Sequence, residues 1–391
     1  MSAVGRGGAT GSDAQQVGFD EAWFAERAQP AIRHLRAYDP GHDLVALRQR
    51  FGEAALVELG SNENPYGPSP AARDAIVSEL SSLHRYPDPR GGALKRALAG
   101  RHGIGVDNIL LGNGSHELLM QLAQVFAGPG DEVVFSQYGF AVFAIATQAA
   151  GATSRVVPAL PLDAGMPLGH DLDAIAQTIT PATRLVYLAN PNNPTGTWFA
   201  RERFATFLQG VPAHVIVVMD EAYAEMADTG AATDARPLLA RHPNLVITRT
   251  FSKGYGLAGL RVGYLLAAPG LVAVMERVRE SFNVSGPALA ACEAALADEA
   301  HLQGTCARNA EQRAQLAEAL ASRGLRVLPS QTNFLLVEFG DDTARIESAL
   351  LERGVVLRPM RGYGLHRYSR ISVGNSEDNR RLLAALDEVL A

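Results

Sequence analysis

The 391-residue chain has very few cysteines, and only two of its 35 basic Lys and Arg residues are lysines. Its cysteines, Cys292 and Cys306, fit neither a metal-site spacing nor a disulfide framework, which is typical of a cytosolic protein. No apolar run approaches the ~18 residues that would span a membrane. Residues 1–18 lack the apolar core of a secretory signal. We therefore expect a disordered tail at 1–18 and a cytoplasmic location.

The overall charge also excludes several classes of partner. The net charge is -6 and the isoelectric point is near 6.0, which argues against a nucleic acid or a membrane surface as the partner. The composition is that of an ordinary globular protein, and the length predicts a large and a small domain. Neither a metal site nor an internal repeat of 20–50 residues is indicated.

Apolar runs of strand length alternate with helical patterns from about residue 94 to 300. The runs are continuous rather than alternating, which is typical of strands buried on both faces. We therefore predict an α/β fold with a mostly parallel central sheet flanked by helices. The predicted divisions are an N-terminal arm with part of a small domain (19–55), a large domain (56–290) and a smaller α+β C-terminal domain (291–391).

Polar signatures follow four of the predicted strands, where ligands of open α/β sheets bind. "LLGNGSHELL" is a strand, a glycine-rich turn and a helix start, and Gly114 lets a phosphate approach the backbone there. "LANPNNPTGTW" is a rigid turn that contains Asn193. "VVMDEAYAEM" ends a buried strand with Asp220, which needs a cationic or donating partner.

The fourth signature, "TFSKGYGLAGLRVGY", holds Lys253 among small and apolar residues. A lysine in a low-dielectric pocket has a depressed pKa and can form a Schiff base, while Thr250, Ser252 and Arg261 offer donors to an anion. Each signature alone has an ordinary structural explanation. Together they indicate one ligand, an aldehyde on a pyridine ring with a phosphate arm.

The segments "NPNNPTG", "DEAY" and "FSKGYGLAGLRVGY" resemble the pyridoxal-phosphate aminotransferases of fold type I. "LGSNENPYGPSP", "RYPDPRGGALKRALA" and "GVVLRPMRGYGLHRYSRISVG" narrow the resemblance to the histidinol-phosphate aminotransferase branch. The resemblance runs from about residue 30 to the C-terminus. It implies pyridoxal 5'-phosphate as the cofactor and amino transfer between L-histidinol phosphate and 2-oxoglutarate, with glutamate as the product.

The resemblance also implies a role for each matching residue. Lys253 would carry the cofactor and move the substrate proton, Asp220 would pair with the ring nitrogen, and Tyr223 and Asn193 would bond the phenolic oxygen. Tyr138 would stack on the ring face. The residues expected at the cofactor phosphate are Gly114, Ser115, His116, Thr250, Ser252 and Arg261, with His116 contributing its backbone N–H rather than its imidazole.

Substrate binding and assembly follow from the same resemblance. Arg370 would clamp the substrate anions, with Arg358 and Tyr38 assisting at the substrate phosphate and Asn193 nearby. Tyr86 would reach the cofactor phosphate of a second subunit and Tyr38 its substrate, which requires a homodimer with shared sites. Three alternatives remain open from the sequence: an aromatic amino-acid aminotransferase, a decarboxylase of phosphorylated amino acids, and a regulator that is not an enzyme.

Overall fold

The structure, a computed structural model, describes residues 20–52, 55–228 and 233–391. The predicted tail at 1–18 lies outside these residues. The strands in chain order are β1 Val57–Glu58, β2 Ile109–Gly112, β3 Glu132–Ser136, β4 Thr153–Val157, β5 Thr183–Ala189, β6 Ile216–Asp220, β7 Leu245–Thr250, β8 Gly263–Leu266, β9 Arg326–Val327, β10 Phe334–Glu338, β11 Val355–Val356, β12 Arg358–Pro359 and β13 Tyr368–Ser372.

The helices of the described residues flank these strands. They are α1 Glu21–Arg27, α2 Leu44–Phe51, α3 Pro70–Glu79, α4 Gly92–His102, α5 Ser115–Phe126, α6 Ala141–Ala149, α7 Leu172–Thr178, α8 Arg201–Gly210, α9 Pro269–Met275, α10 Gly286–Ala297, α11 Glu299–Ala321, α12 Thr343–Glu352 and α13 Ser376–Leu390. None of them is long and apolar enough to cross a membrane.

The central sheet has seven strands in the order β2-β8-β7-β6-β5-β3-β4. Only β8 runs antiparallel, and it does so against both β2 and β7. Successive side chains of β6 enter opposite cores, because Val217 and Met219 pack in one cluster and Val218 in the other. Both faces are therefore covered, as the continuous apolar runs predict.

The C-terminal part of the chain forms a second layer of structure. Strands β9, β10, β12 and β13 make an antiparallel sheet. Its core also contains Val57 and Leu59, because β1 pairs with β11. These residues fall in the segment that we predicted to open the large domain at 56, so the packing favours a later start for that domain.

The predicted boundary at 290/291 lies within α10. Ala288 and Cys292, on either side of it, are both fully buried in the core of the large sheet. The packing therefore favours a boundary after Ala297, where α11 leads towards the C-terminal sheet. The predicted α+β character of that region agrees with the structure.

The N-terminal arm is a broken helix, as its proline indicates. Asp20 caps α1 by accepting from the Trp23 N–H, and the helix ends at Arg27 before Pro30. Phe24 and Tyr38 expose about half of their surface. The arm therefore presents apolar rings that are incompletely covered by its own chain.

Candidate active site

A cavity of about 390 Å³ lies at the carboxyl ends of β5, β6 and β7 and is closed on one side by β13. This is the edge at which open α/β sheets bind ligands. Most of the predicted site residues line it: Tyr38, Ser115, His116, Asn193, Asp220, Tyr223, Thr250, Ser252, Lys253, Arg261 and Arg370. The described residues contain no group of three or more metal-ligating side chains.

Lys253 follows β7 and reaches into the cavity. Its Nζ donates to the backbone carbonyl of Asn62 at 3.0 Å and to that of Ser61 at 3.5 Å. Burial and the neighbouring Arg370 guanidinium lower the pKa of Lys253 from 10.5 to about 8. A sizeable fraction of this amine is therefore neutral near physiological pH, as a nucleophile must be.

Asp220 ends β6 beside this lysine. Its Oδ1 accepts from the Thr248 hydroxyl at 2.9 Å, and Thr248 lies opposite it on β7. Burial raises the pKa of Asp220 to about 6. No arginine or lysine forms a direct ion pair with it among the described residues. A buried carboxylate in this state suits a ligand that brings its own N–H donor.

The Tyr223 hydroxyl forms a hydrogen bond with the loop that follows β1. Asn62 Nδ2 donates to Tyr223 Oη at 3.0 Å. Burial raises the pKa of Tyr223, so it stays protonated and can donate. Asn193, in the turn that contains the cis peptides Asn190–Pro191 and Asn193–Pro194, lies on the same cavity wall.

A close approach of backbones builds an anion cradle at the start of α5. Gly114 has φ +83°, and a Cβ there would lie 2.5 Å from Arg261 Nη2. A Cβ on Gly263 would collide with the Ser115 backbone N. Arg261 Nη1 donates to Ser252 Oγ at 3.3 Å, and Thr250 Oγ1 lies 3.0 Å from that oxygen. Glycine, a helix start and a guanidinium together fit a phosphate.

Arg370 forms the opposite wall. Nη1 donates to Asn193 Oδ1 at 2.6 Å and Nη2 to the Gly60 carbonyl at 2.8 Å. Its buried Nε has no hydrogen-bond partner among the described residues. A buried arginine with an unpaired donor in a cavity wall fits an anionic ligand.

His116 and Tyr38 stand at the mouth of the cavity. Their rings meet edge to face with centroids 5.9 Å apart. Burial and Arg261 lower the pKa of His116, so its imidazole is neutral at physiological pH. The resemblance places Tyr38 in the site of a second subunit, whereas the structure places it at the cavity of its own chain.

Arg358 contacts the segment around Tyr38 and does not line the cavity. Its Nη2 donates to the Asp39 backbone carbonyl and lies 3.7 Å from the Asp39 carboxylate. Its role at a substrate phosphate stays a prediction.

The loop after β3 carries two aromatic residues, Tyr138 and Phe140. Tyr138 packs beside a cluster that includes Leu168 and Met360, while Phe140 lines the cavity. Asn192 Nδ2 fixes this loop by donating to the Tyr138 carbonyl at 2.8 Å. Ring stacking by Tyr138 stays a prediction, and Phe140 is the aromatic ring that the structure places at the wall.

Two residues from the segment 84–95 lie away from the cavity. Tyr86 is 82% exposed and stacks on Phe282, with ring centroids 4.6 Å apart. Its predicted reach into a second subunit stays a prediction. The helix pattern indicates an exposed face for Lys95, which is wrong: Lys95 is 7% exposed and its Nζ lies 3.1 Å from Glu276.

Sequence reasoning assigns no role to several residues of the cavity wall. Ser61, Asn62 and Glu63 belong to "LGSNENPYGPSP", which supports the family resemblance but receives no function from it, and Phe140 belongs to "SQYGF". A signal exists in the first case, since this loop directly follows a strand and is rich in asparagine.

An anion cradle, a lysine of lowered pKa and a buried aspartate around one cavity suit an enzyme of the pyridoxal-phosphate type with fold type I. The family described as aminotransferase class I and II matches residues 54–386, and the chain belongs to this family. Histidinol-phosphate aminotransferase 2 of Pseudomonas fluorescens is 47% identical over 370 residues, which cover 94% of this chain and 98% of that protein. The protein of the same name from Pseudomonas aeruginosa is 46% identical, with 94% and 99% covered.

Solved structures confirm the predicted fold. Histidinol-phosphate aminotransferase from Sinorhizobium meliloti, in complex with pyridoxal-5'-phosphate, superimposes with a TM-score of 0.81 at 34% identity, covering 93% of this chain and 97% of that one. A single mutant of Thermus thermophilus aspartate aminotransferase has a TM-score of 0.80 at 22% identity, with 93% and 99% covered, and shares the fold.

Proposed function

We propose that this protein is a pyridoxal-phosphate-dependent aminotransferase that acts on L-histidinol phosphate and 2-oxoglutarate in histidine biosynthesis. One observation carries the proposal: a single cavity is lined by the Lys253 amine, the buried Asp220 carboxylate and the buried Arg370 side chain. The names of relatives that match nearly the full chain support the choice of substrate.

The residues fit the cofactor, because the cradle at Gly114 suits its phosphate and the buried Asp220 carboxylate suits its ring nitrogen. Bound pyridoxal phosphate supplies an aldehyde that receives the amino group and a ring that withdraws electrons. Lys253 would hold the aldehyde carbon and Asp220 the ring nitrogen. The remaining contacts would come from Tyr223 and Asn193 at the phenolic oxygen, and from Gly114, Ser115, His116, Thr250, Ser252 and Arg261 at the phosphate.

Lys253 would also move the substrate proton. Once the substrate amine had replaced it on the cofactor, the Lys253 Nζ would lie free beside the substrate α-carbon. Its lowered pKa would let it accept the α-proton and return a proton on the other side of the transferred nitrogen. Asp220 would face the ring nitrogen and stabilise its proton.

Arg370 would bind the anionic end of each substrate in turn. A planar guanidinium matches both a carboxylate and a phosphate. Tyr38 at the cavity mouth and Arg358 next to it would assist with the phosphate of histidinol phosphate. One arginine would thus serve both halves of the reaction.

We place this activity in a homodimer that works in the cytoplasm. Tyr86 and Phe282 lie beside a groove on the surface, with Val77, Leu80 and Leu83 among the exposed apolar residues nearby in sequence. Apolar side chains clustered on a surface are typical of an interface. A second copy bound at this groove would bring Tyr86 close to the neighbouring cofactor. The free Cys292 and Cys306 fit a reducing compartment such as the cytoplasm.

Single amino donors test the proposed substrate. The protein loaded with pyridoxal phosphate is mixed separately with L-histidinol phosphate, L-phenylalanine, L-tyrosine and L-glutamate, and conversion of the bound cofactor to its amino form is followed by absorbance. We expect histidinol phosphate and glutamate to react fastest. Faster conversion by phenylalanine or tyrosine would identify an aromatic aminotransferase, and release of carbon dioxide from a phosphorylated amino acid, added as a further donor, would identify a decarboxylase.

A further inference from the structure

Asn62 contacts more of the active-site machinery than any assigned role requires. It follows β1, is 2% exposed and has a left-handed backbone with φ +55°. Its backbone carbonyl accepts both from Lys253 Nζ at 3.0 Å and from Asn333 Nδ2 at 3.0 Å. Asparagine is among the few residues that adopt this backbone conformation readily.

Ser372 fixes the direction of the Asn62 side chain. The Asn62 backbone N–H donates to Ser372 Oγ at 2.8 Å, and that hydroxyl donates in turn to Asn62 Oδ1 at 3.3 Å. The amide nitrogen therefore faces the other way, where Nδ2 donates to Tyr223 Oη at 3.0 Å.

This arrangement sets the direction of the Tyr223 proton. An amide NH₂ group only donates, so the tyrosine oxygen must act as the acceptor in that hydrogen bond. The hydrogen of the Tyr223 hydroxyl is then free to point away from Asn62, towards the cavity that both residues line.

We propose that Asn62 is a positioning residue for amino transfer, which turns the Tyr223 hydroxyl into a donor towards the cavity and holds a carbonyl against the Lys253 amine. This inference rests on the proposed function. In the loaded enzyme the acceptor for Tyr223 would be the anionic phenolic oxygen of the cofactor. A hydrogen bond donated to that oxygen favours the unprotonated form of the bound chromophore. Loss of this hydrogen bond therefore raises the chromophore pKa.

Two substitutions of Asn62 distinguish its effect on the direction of the Tyr223 hydroxyl from its effect on packing. Asn62→Gly removes the amide and keeps the left-handed backbone without strain. Asn62→Asp keeps the size but offers Tyr223 an acceptor, which draws its proton away from the cavity. Each is made alone and in a Tyr223→Phe background, where no hydroxyl remains to be aimed, so that the effect of the added aspartate charge is measured separately.

The readout is the pH titration of the visible absorbance of the loaded protein. We expect the chromophore pKa to rise by about 0.5 in Asn62→Gly, and kcat/KM for histidinol phosphate to fall about fivefold. Asn62→Asp should show larger changes. In the Tyr223→Phe background Asn62→Gly should have no further effect on the titration, because the residues act through one hydroxyl.

Asn64→Ala provides the matched control. Asn64 comes from the same loop, but its Nδ2 donates to the Lys253 and Gly254 carbonyls and not to Tyr223. We expect its effect on the titration to be equal with and without Tyr223→Phe. Thermal melting of every variant shows that each is folded.

The outcomes are distinguishable. If the wild-type protein neither binds pyridoxal phosphate nor transfers amino groups, the proposed function is wrong and the inference ends with it. If the wild type is active but Asn62→Gly titrates like it, or shifts equally in the Tyr223→Phe background, the proposed function stands and the positioning role is refuted.

Discussion

Replacing Arg370 by alanine tests the anion-binding side of the site. The guanidinium donates to Asn193 and Gly60 through its two terminal nitrogens, its buried Nε has no partner among the described residues, and the side chain lines the cavity. Arg370 lies within β13, opposite Leu336 of β10, so the backbone hydrogen bonds of the strand remain when the side chain is shortened. The substitution therefore removes a charge and its donors without removing a strand.

The size of the effect follows from the kind of interaction that the substitution removes. A charge-assisted hydrogen bond contributes about 1.5–3 kcal/mol, so KM for 2-oxoglutarate and for histidinol phosphate should each rise about 10- to 150-fold. Arg370→Lys keeps the charge but loses the planar fork, and we expect an intermediate increase.

Histidinol and histidinol phosphate, which differ only in the phosphate, give the sharpest assay. The ratio of their kcat/KM values measures how much the phosphate contributes to binding the transition state. In Arg370→Ala this ratio should collapse by the same factor by which KM rises.

Arg326→Ala is the matched control. It removes an exposed arginine of the same sheet, whose Nη2 donates to the Leu162 carbonyl, and should leave both KM values unchanged. An Arg370→Ala protein with normal KM values for both substrates, or with a normal phosphate ratio, would refute the shared anion site.

Three further predictions concern the cofactor, the stability and the assembly. Borohydride reduction of the loaded protein should attach the cofactor to Lys253, and its recovery on Lys95, the other lysine of the chain, would overturn that assignment. Because burial raises the pKa of Asp220 from 3.8 to about 6, its ionisation opposes folding above pH 6 by on the order of 3 kcal/mol. Asp220→Asn should therefore raise the melting temperature of the cofactor-free protein at pH 8 while weakening pyridoxal phosphate binding, and a lower melting temperature would contradict this reasoning. Mixed under subunit exchange, Lys253→Ala and Tyr86→Ala should recover about half of the wild-type sites per heterodimer, whereas no recovery despite proven exchange would place Tyr86 in its own chain's site.

The sheet could be predicted because its strands are buried on both faces. The predicted central strands are continuous apolar runs, and the polar signatures that follow four of them mark the ligand-binding edge. The sequence does not predict strand β4, because four of its five residues are exposed. An edge strand of this kind carries no apolar pattern, and only its pairing with β3 defines it.

Side-chain contacts between distant segments could not be predicted in the same way. Lys95 forms an ion pair with Glu276, which lies 181 positions further along the chain. A helix pattern cannot reveal a partner at that distance in sequence. The same holds for Asn62, whose partners Tyr223, Lys253 and Ser372 come from three separate parts of the sequence. Motifs identify residue types at strand ends, but the direction of a hydrogen bond is decided by tertiary packing.

The charged groups of the cavity are not paired with one another, which leaves Lys253 and Asp220 available to a ligand. Lys253 is partly buried beside Arg370, and desolvation together with that guanidinium lowers its pKa, while Asp220 is buried without a direct ion pair among the described side chains. Each arrangement costs free energy of folding. A ligand with an electrophilic carbon, a protonated ring nitrogen and a phosphate would engage the amine, the carboxylate and the cradle at Gly114 together. The free energy that these two groups cost in folding is therefore available as binding selectivity for a cofactor of that chemistry.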